Sequence, residues 1–533
     1  MPKPKTLLKD TKSKKKAKQS GNRGPETADE YLAEGVEFEE AGEKWRGGDA
    51  VKSMRFFMRA IDAYDTGLRQ FPNSFDLAYN KYVGSNSERE IARLENQCLP
   101  VLTVTIRARV QYEITQHPKL ASQLPAPMFE ILQIALKSHR EALNKDQDNA
   151  DILFNTAQVL TSLAEAIGEG KRPSRHRIQE AIKYLQEALE LFQRCLALQE
   201  LRFTEYQEQV NATESGVSDQ PAKNDQLLPP EAELPTSTPA EQWAIVVEPV
   251  TKNTLVDTAI AQLETLATLC GLLTYDPDHS FAWIEEYSSD LLREKLNVYA
   301  EGTDRKYDVA LARAKFISTF TEVVYRNGQV DLETYKNELN NAFNDGLDVS
   351  NDAAGLCGQA EALVSFNSAV ADTFNPKSPE ELKTLLDLRW KSLSTALDSL
   401  TSASKLPSAG ENLPKIHIAR GDVEMYRWRL GNDPWNYGPA NDNAALLLKN
   451  AETYYRGGAA IAKRDGWPRE EREGTFKEAL VKTLAGDPSQ METLVDAKEE
   501  LTQVAEDMVE DGLIASEDLE RILHSMAPDE MVF

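Results

Sequence analysis

Cysteine and histidine are scarce in this chain of 533 residues. The four cysteines, Cys98, Cys195, Cys270 and Cys357, lie far apart and form no Cys-x-x-Cys pair. That excludes the paired ligands of a zinc ribbon and a thioredoxin-type redox motif, and leaves buried, reduced thiols as the expectation. The six histidines, His117, His139, His176, His279, His417 and His524, show neither His-Glu-x-x-His nor metal-ligand spacing with a cysteine. His139 falls on a predicted helix face and reads as a packed or surface histidine. Gly168-Glu169-Gly170-Lys171 lacks the spacer and the Ser or Thr of a phosphate loop. There is no Gly-x-Ser-x-Gly elbow and no kinase signature. The expectation is a protein that is not an enzyme, with no cofactor and no metal. No apolar run approaches the roughly 20 residues that span a bilayer, and the N-terminus has no hydrophobic segment of a secretory signal. Nucleus and/or cytoplasm is the expected location.

Strand signals are equally scarce. What is present is helical spacing, with apolar residues recurring at three and four. Between Ala50 and Phe71 the stripe is Val51, Met54, Phe57, Met58, Ile61, Tyr64, Leu68 and Phe71, stopped by Pro72-Asn73. Between Ile178 and Phe203 it is Ile178, Ile182, Leu185, Leu189, Phe192 and Leu196. Antiparallel helix pairs with short turns are the implied unit. One such pair cannot bury its apolar face alone, so it must stack on the next.

Charge is unevenly spread. Residues 1–23 hold nine Lys or Arg against Asp10 alone, a net +8, so with a total of −26 the rest of the chain carries −34. A tail without apolar periodicity, residues 1–27, is expected to be disordered, and an acidic body to repel nucleic acid and attract basic partners. Lys14, Lys15, Lys16 and Lys18 read as a nuclear localisation signal, or otherwise as a generic solubilising or RNA-touching tail.

Three stretches resemble the tetratricopeptide repeat, which sets small residues where two helices cross and large ones in the gaps between. They are Gly48-Asp49 with Ser53, Phe57 and Ala60; Ala135 with Ala142; and the segment Leu153–Leu160 paired with Ala181, Leu185 and Ala188. Ala157, Ala181 and Ala188 fall on the family's small positions. The resemblance covers residues 28–205 and implies an all-α, right-handed superhelix of antiparallel pairs whose concave groove is lined by first helices. In that family an Asn near the middle of the first helix contacts the partner's backbone, which is what the resemblance implies for Asn80 and Asn155. Some members clamp acidic chaperone C-termini with Lys, Asn and Arg residues. Here only the two Asn match, and of the accompanying basic residues Arg109 alone falls at an expected position.

Residues 82–107 interrupt the second of these repeats. Removing them joins Tyr79-Asn80-Lys81 to Ala108-Arg109-Val110, which aligns with Phe154-Asn155-Thr156-Ala157 and sets Ala108 on the small position. Two explanations stand: an insertion that splits a helix, or translated intron in a mistaken gene model, since Lys81-Tyr82-Val83 can be encoded across a GTATGT donor site. The organisation expected overall is a tail at 1–27, an N-terminal helical block at 28–210, a Pro-, Ser- and Thr-rich linker at 211–250, a C-terminal block at 251–466 and capping helices at 467–533. Turn and cap signals inside the C-terminal block include Asn327-Gly328 and Ser378-Pro379. Gly457-Gly458, inside a helical pattern, implies close helix packing. Lys171, Arg172, Arg175, His176 and Arg177 form either a contact for an acidic peptide or RNA, or a solvated interhelical loop.

The functional expectation is a protein-binding scaffold. In general character it resembles acidic assembly chaperones of ribosomal proteins, with a basic client; the alternative is a subunit of a larger complex or a heat-shock co-chaperone. Nucleic acid would be touched only through the basic tail, and no membrane is involved.

Overall fold

The structure, a computed structural model, describes residues 25–71, 108–117, 120, 127–168, 174–215, 249–274, 282–344, 346–373, 376, 378–494 and 497–526. Residues 1–24, with the lysines of the expected nuclear signal, and the interruption at 82–107 with Asn80, lie outside them. The described residues are helical and contain no strand. The chain divides into two compact units, with the division between Val110 and Gln111.

In the first unit, α1 (Ala28–Arg46) opens with a reciprocal cap. The Thr27 hydroxyl accepts from the Glu30 N–H, and the Glu30 carboxylate accepts from the Thr27 N–H. α2 (Ala50–Gln70) returns antiparallel to it: the Ser53 hydroxyl donates to the Gly42 carbonyl (2.8 Å) and the Tyr64 hydroxyl to Glu39 (2.6 Å). Gly35 and Gly42 let the helices close up, since a Cβ on Gly35 would stand 2.1 Å from the Tyr64 ring. The face of α2 that packs is narrower than its apolar stripe. Ser53, Phe57, Ala60, Ala63 and Tyr64 are buried, while Val51 and Met58 are exposed. The helical residues 108–116 (α3) begin in this unit, with Ala108 fully buried.

The second unit repeats the pair. α4 (Met128–Lys145) follows the later residues of α3. Then come α5 (Ala150–Gly168) with α6 (Arg175–Ser215), and α7 (Lys252–Leu273) with α8. α8 runs from Ala282–Asp290 through a π turn, Leu291–Lys295, into Leu296–Ala300. α9 (Lys306–Arg326) and α10 (Leu332–Asn344) follow, then α11 (Ala353–Thr373) and α12 (Pro379–Ala403). α13 (Leu413–Arg429) pairs with α14 (Ala444–Asp465), α15 (Pro468–Leu484) with α16 (Lys498–Glu510), and α17 (Ser516–Met526) comes last. Local signals act as their residue types dictate. The Ser378 hydroxyl caps α12 through the Glu381 N–H, and Gly328, at φ +70°, turns α9 into α10. α6 continues to Ser215, into the span expected as linker.

Partners fix the directions. Within a pair, residue numbers fall as their partners' rise: Phe154 meets Phe192 and Ala150 meets Cys195, while Asn367 meets Arg389 and Gln359 meets Ser399. These pairs are antiparallel. Between successive first helices the numbers rise together. Thr161 and Glu165 of α5 meet Thr265 and Thr268 of α7. Tyr307 and Arg326 of α9 meet Asp352 and Asp372 of α11. Lys415 and Asp422 of α13 meet Glu470 and Lys477 of α15. First helices therefore stand side by side and parallel, with second helices behind them. The core runs between the layers as a chain of clusters. Phe129 and Tyr184 pack against two successive clusters, as do Trp390 and Tyr426.

α7 corrects the expectation that no segment is long and apolar enough to cross a membrane. Within its 22 residues an 18-residue window reaches a mean hydropathy of 1.3, but 67% of that window is buried. It is apolar because both helix layers cover it: Leu255, Ala259, Leu263, Leu266 and Leu269 are all buried.

Gly421 of α13 faces the buried Tyr455 ring so closely that a Cβ would lie 2.4 Å from it. Gly421→Ala is therefore expected to lower stability by about 1–3 kcal/mol through overpacking. Gly271, inside α7, has nothing within 4 Å of a built Cβ, and Gly271→Ala should add about 0.5–1 kcal/mol from helix propensity. Thermal melts of the two variants should shift in opposite directions; a shared sign would contradict the packing described.

Candidate peptide groove on the first-helix face

The candidate groove follows the side of the first helices that faces away from the second helices. On α5 that side carries Gln158, Ser162 and Glu165. Asn155, half-buried, lies seven residues before Ser162 and so on the same side. Tyr112 of α3 closes the gap to α5 with its hydroxyl 3.0 Å from Ser162. Arg109 belongs to the first unit, where its guanidinium donates to Glu39 at 2.6 Å. In the basic cluster, Arg175, His176 and Arg177 are exposed, with the Arg177 guanidinium over the Phe129 ring.

Further along, charge accumulates on the same side. Glu264 of α7 and Glu361 of α11 are exposed at their positions, yet the neighbouring helices take enough water from both carboxyls to raise their pKa. Lys315 of α9 opposes that rise in each, and Glu322 adds to it at Glu361. One ammonium thus acts on both carboxyls. Beyond it, the buried Lys477 donates to Asp422 (2.9 and 3.1 Å) and pairs with Glu473 (3.0 Å). The Tyr455 hydroxyl also donates to Asp422 (2.7 Å). Attraction by the two carboxylates outweighs burial, so Lys477 stays charged.

Between α11 and α13 the first helices part and leave an open slot of about 570 Å³. Its floor is apolar: Ala354, Cys357, Gly358 and Val364 from α11, Ile416 and Ala419 from α13. Its rim carries Asp352, Glu361, Asp422 and Asp511 against Lys315 and Lys415, and Lys415 is itself answered by Glu470 at 3.8 Å. The size and the lining suit a bound side chain or short segment. The slot was missed in the sequence, although the small residues Ala354, Cys357 and Gly358, at helical spacing on one face, were a usable signal.

Burial raises the Cys357 thiol, and the carboxylates of Glu361 and Asp352 raise it further, so it stays protonated at neutral pH. Burial pushes Cys195 and Cys270 up to about 12. Among the described residues no group of three His, Cys, Asp or Glu side chains is placed to hold a metal ion.

Asp422→Ala should destabilise the protein strongly, by about 3 kcal/mol, because it leaves a buried ammonium with Glu473 alone. Glu361→Gln should do the opposite. Its raised pKa means that the folded state bears the cost of a desolvated charge above the ordinary carboxylate range, a cost lost on protonation. Melts across pH should show Glu361→Gln more stable than the parent at neutral pH, with the difference vanishing in acid.

No family model matches the chain. It is 24% identical over 518 residues to the UPF0656 protein C926.02 of the fission yeast Schizosaccharomyces pombe, covering 94% of this chain and 97% of that protein. Among solved structures it is similar to one described as a circular tandem repeat protein with novel repeat topology and enhanced subunit contact surfaces. That likeness has a TM-score of 0.22 and 15% identity over 94% of this chain and 90% of that one. At that score it adds nothing to the fold described above.

Proposed function

We propose that this protein is a non-enzymatic tetratricopeptide-type scaffold that holds a basic protein client along its first-helix face, as an assembly chaperone or adaptor does for a ribosomal protein. The observation that carries the reading is the carboxylate-rich rim beside an apolar floor, on a chain of net charge −26. Such a surface attracts a cationic segment, shields it from nucleic acid and releases it when a more acidic surface competes. The finer repeat assignment is supported by the buried small residues Ser53, Ala60, Ala157, Ala181 and Ala188. It gains further support from the Gly–Tyr contact, which recurs as Gly35 with Tyr64 and as Gly421 with Tyr455. Nuclear delivery through Lys14, Lys15, Lys16 and Lys18 fits a client made in the cytoplasm and used in the nucleus.

A second reading, a subunit of a larger complex, is favoured by one observation. On the second-helix side an open trough of about 610 Å³ lies against α8, α9 and α10, with Leu292, Leu296 and Ile317 in it and Val298 58% exposed beside them. Apolar docking there would resist salt.

Affinity purification of the tagged protein from its own cells, at low and at high salt, separates the two. A single basic protein recovered in near-equal amount and lost at high salt is the expected result. Only salt-resistant partners, or heat-shock proteins alone, would overturn the basic-client reading.

A further inference from the structure

We propose that the slot between α11 and α13 is an anchor site for a short apolar stretch flanked by Lys or Arg, so that the scaffold reads a pattern in its client and not basic charge alone. The inference rests on the basic-client reading and names what that client presents. Three observations carry it. The floor is built from small side chains, Ala354, Cys357, Gly358 and Ala419, which leave room that a larger partner side chain fills. At Gly358 the missing side chain lets Lys315 lie close across α11: an added Cβ would meet the Lys315 Cε at 3.2 Å. The rim holds four carboxylates and two ammonium groups; of these Asp422 is answered by Lys477, Asp352 accepts from Tyr307, and Lys415 is answered by Glu470. An apolar residue seated on the floor brings its neighbours in sequence to the rim, where Lys or Arg meets Glu361, and where Asp or Glu would be repelled.

Neighbouring gaps along the same face do not offer this. Between α5 and α7 the helices are joined by Thr161–Thr265 (3.0 Å) and Glu165–Thr268 (3.3 Å). Between α9 and α11 they are joined by Tyr307–Asp352 (2.9 Å) and Arg326–Asp372 (2.8 Å). The slot is thus a site along the groove where apolar specificity and charge can act together.

The test uses the full chain and two fluorescent synthetic peptides of identical charge. One has a Leu-Leu pair flanked on both sides by Lys and Arg; the other has Gly-Gly in its place. Fluorescence anisotropy at physiological ionic strength should show the Leu peptide binding about tenfold or more tightly, the gain from burying apolar side chains. Ala419→Trp, which fills the slot, should abolish the preference and leave the weak, salt-sensitive binding common to both peptides. Glu361→Gln should weaken both, by about threefold, and less at high salt. A readout that does not depend on any variant folding is alkylation of Cys357 in the parent protein, followed by mass spectrometry of the fragment that bears it. The Leu peptide should slow it and the Gly peptide should not. Equal affinities and equal alkylation would overturn the anchor site while leaving a basic client in place. Failure of both peptides to bind at any salt concentration would overturn the basic-client reading itself.

Discussion

The structure rests on a deficit. An antiparallel pair of amphipathic helices covers only part of its own apolar surface, and what stays uncovered must be met by the next pair. In the second unit a first helix meets its own second helix and, at α5–α7, α9–α11 and α13–α15, another first helix beside it. α7 is the extreme case, covered on most of its sides, with Glu264 at an exposed position on the remainder. The hydrophobic clusters run into one another along the unit because no pair closes its own. A scaffold built this way has one face with nothing to cover it, the outward side of the first helices, and there residue choice is free to serve recognition.

That face shows how an acidic chain uses its few bases. Lys477 is buried between two carboxylates and stitches α13 to α15. Lys315 acts on Glu264 and Glu361 at once. Away from that face, on the second helix α12, Arg389 is buried over the Trp435 ring (4.5 Å), with a hydrogen bond to Asn367 (2.9 Å), and burial lowers its pKa to about 10. Bases spent on internal stitching leave the groove with an excess of acid. The excess therefore does not scale simply with net charge; it depends on where the cations are tied down.

Much of the fold was legible before any coordinates. Buried positions on α6 follow the three-and-four spacing from Ile178 to Leu196, the Ser378 cap and the turn at Gly328 lie where the residue types put them, and Gly458 does admit a crossing helix, with the Pro414 carbonyl 3.1 Å from a built Cβ. Each is a local effect, decided by a handful of neighbouring residues. Val51 and Met58 escaped the same logic. Apolar periodicity marks a face but does not say how wide a contact the partner helix makes. The π turn in α8 and the continuation of α6 to Ser215 likewise carry no local signal strong enough to read.

The sequence by itself determined the helices, their pairing in antiparallel hairpins and the sign of the charge, because these follow from spacing, turn chemistry and composition. Only the tertiary structure decided which residues make the candidate site. The slot joins Cys357 to Ala419, and the ion pair beside it joins Asp422 to Lys477; both depend on the parallel register of first helices. That register is set by side chains interlocking across the whole length of two helices, a sum of many small contacts in which no single residue dominates, and no short stretch of sequence encodes it.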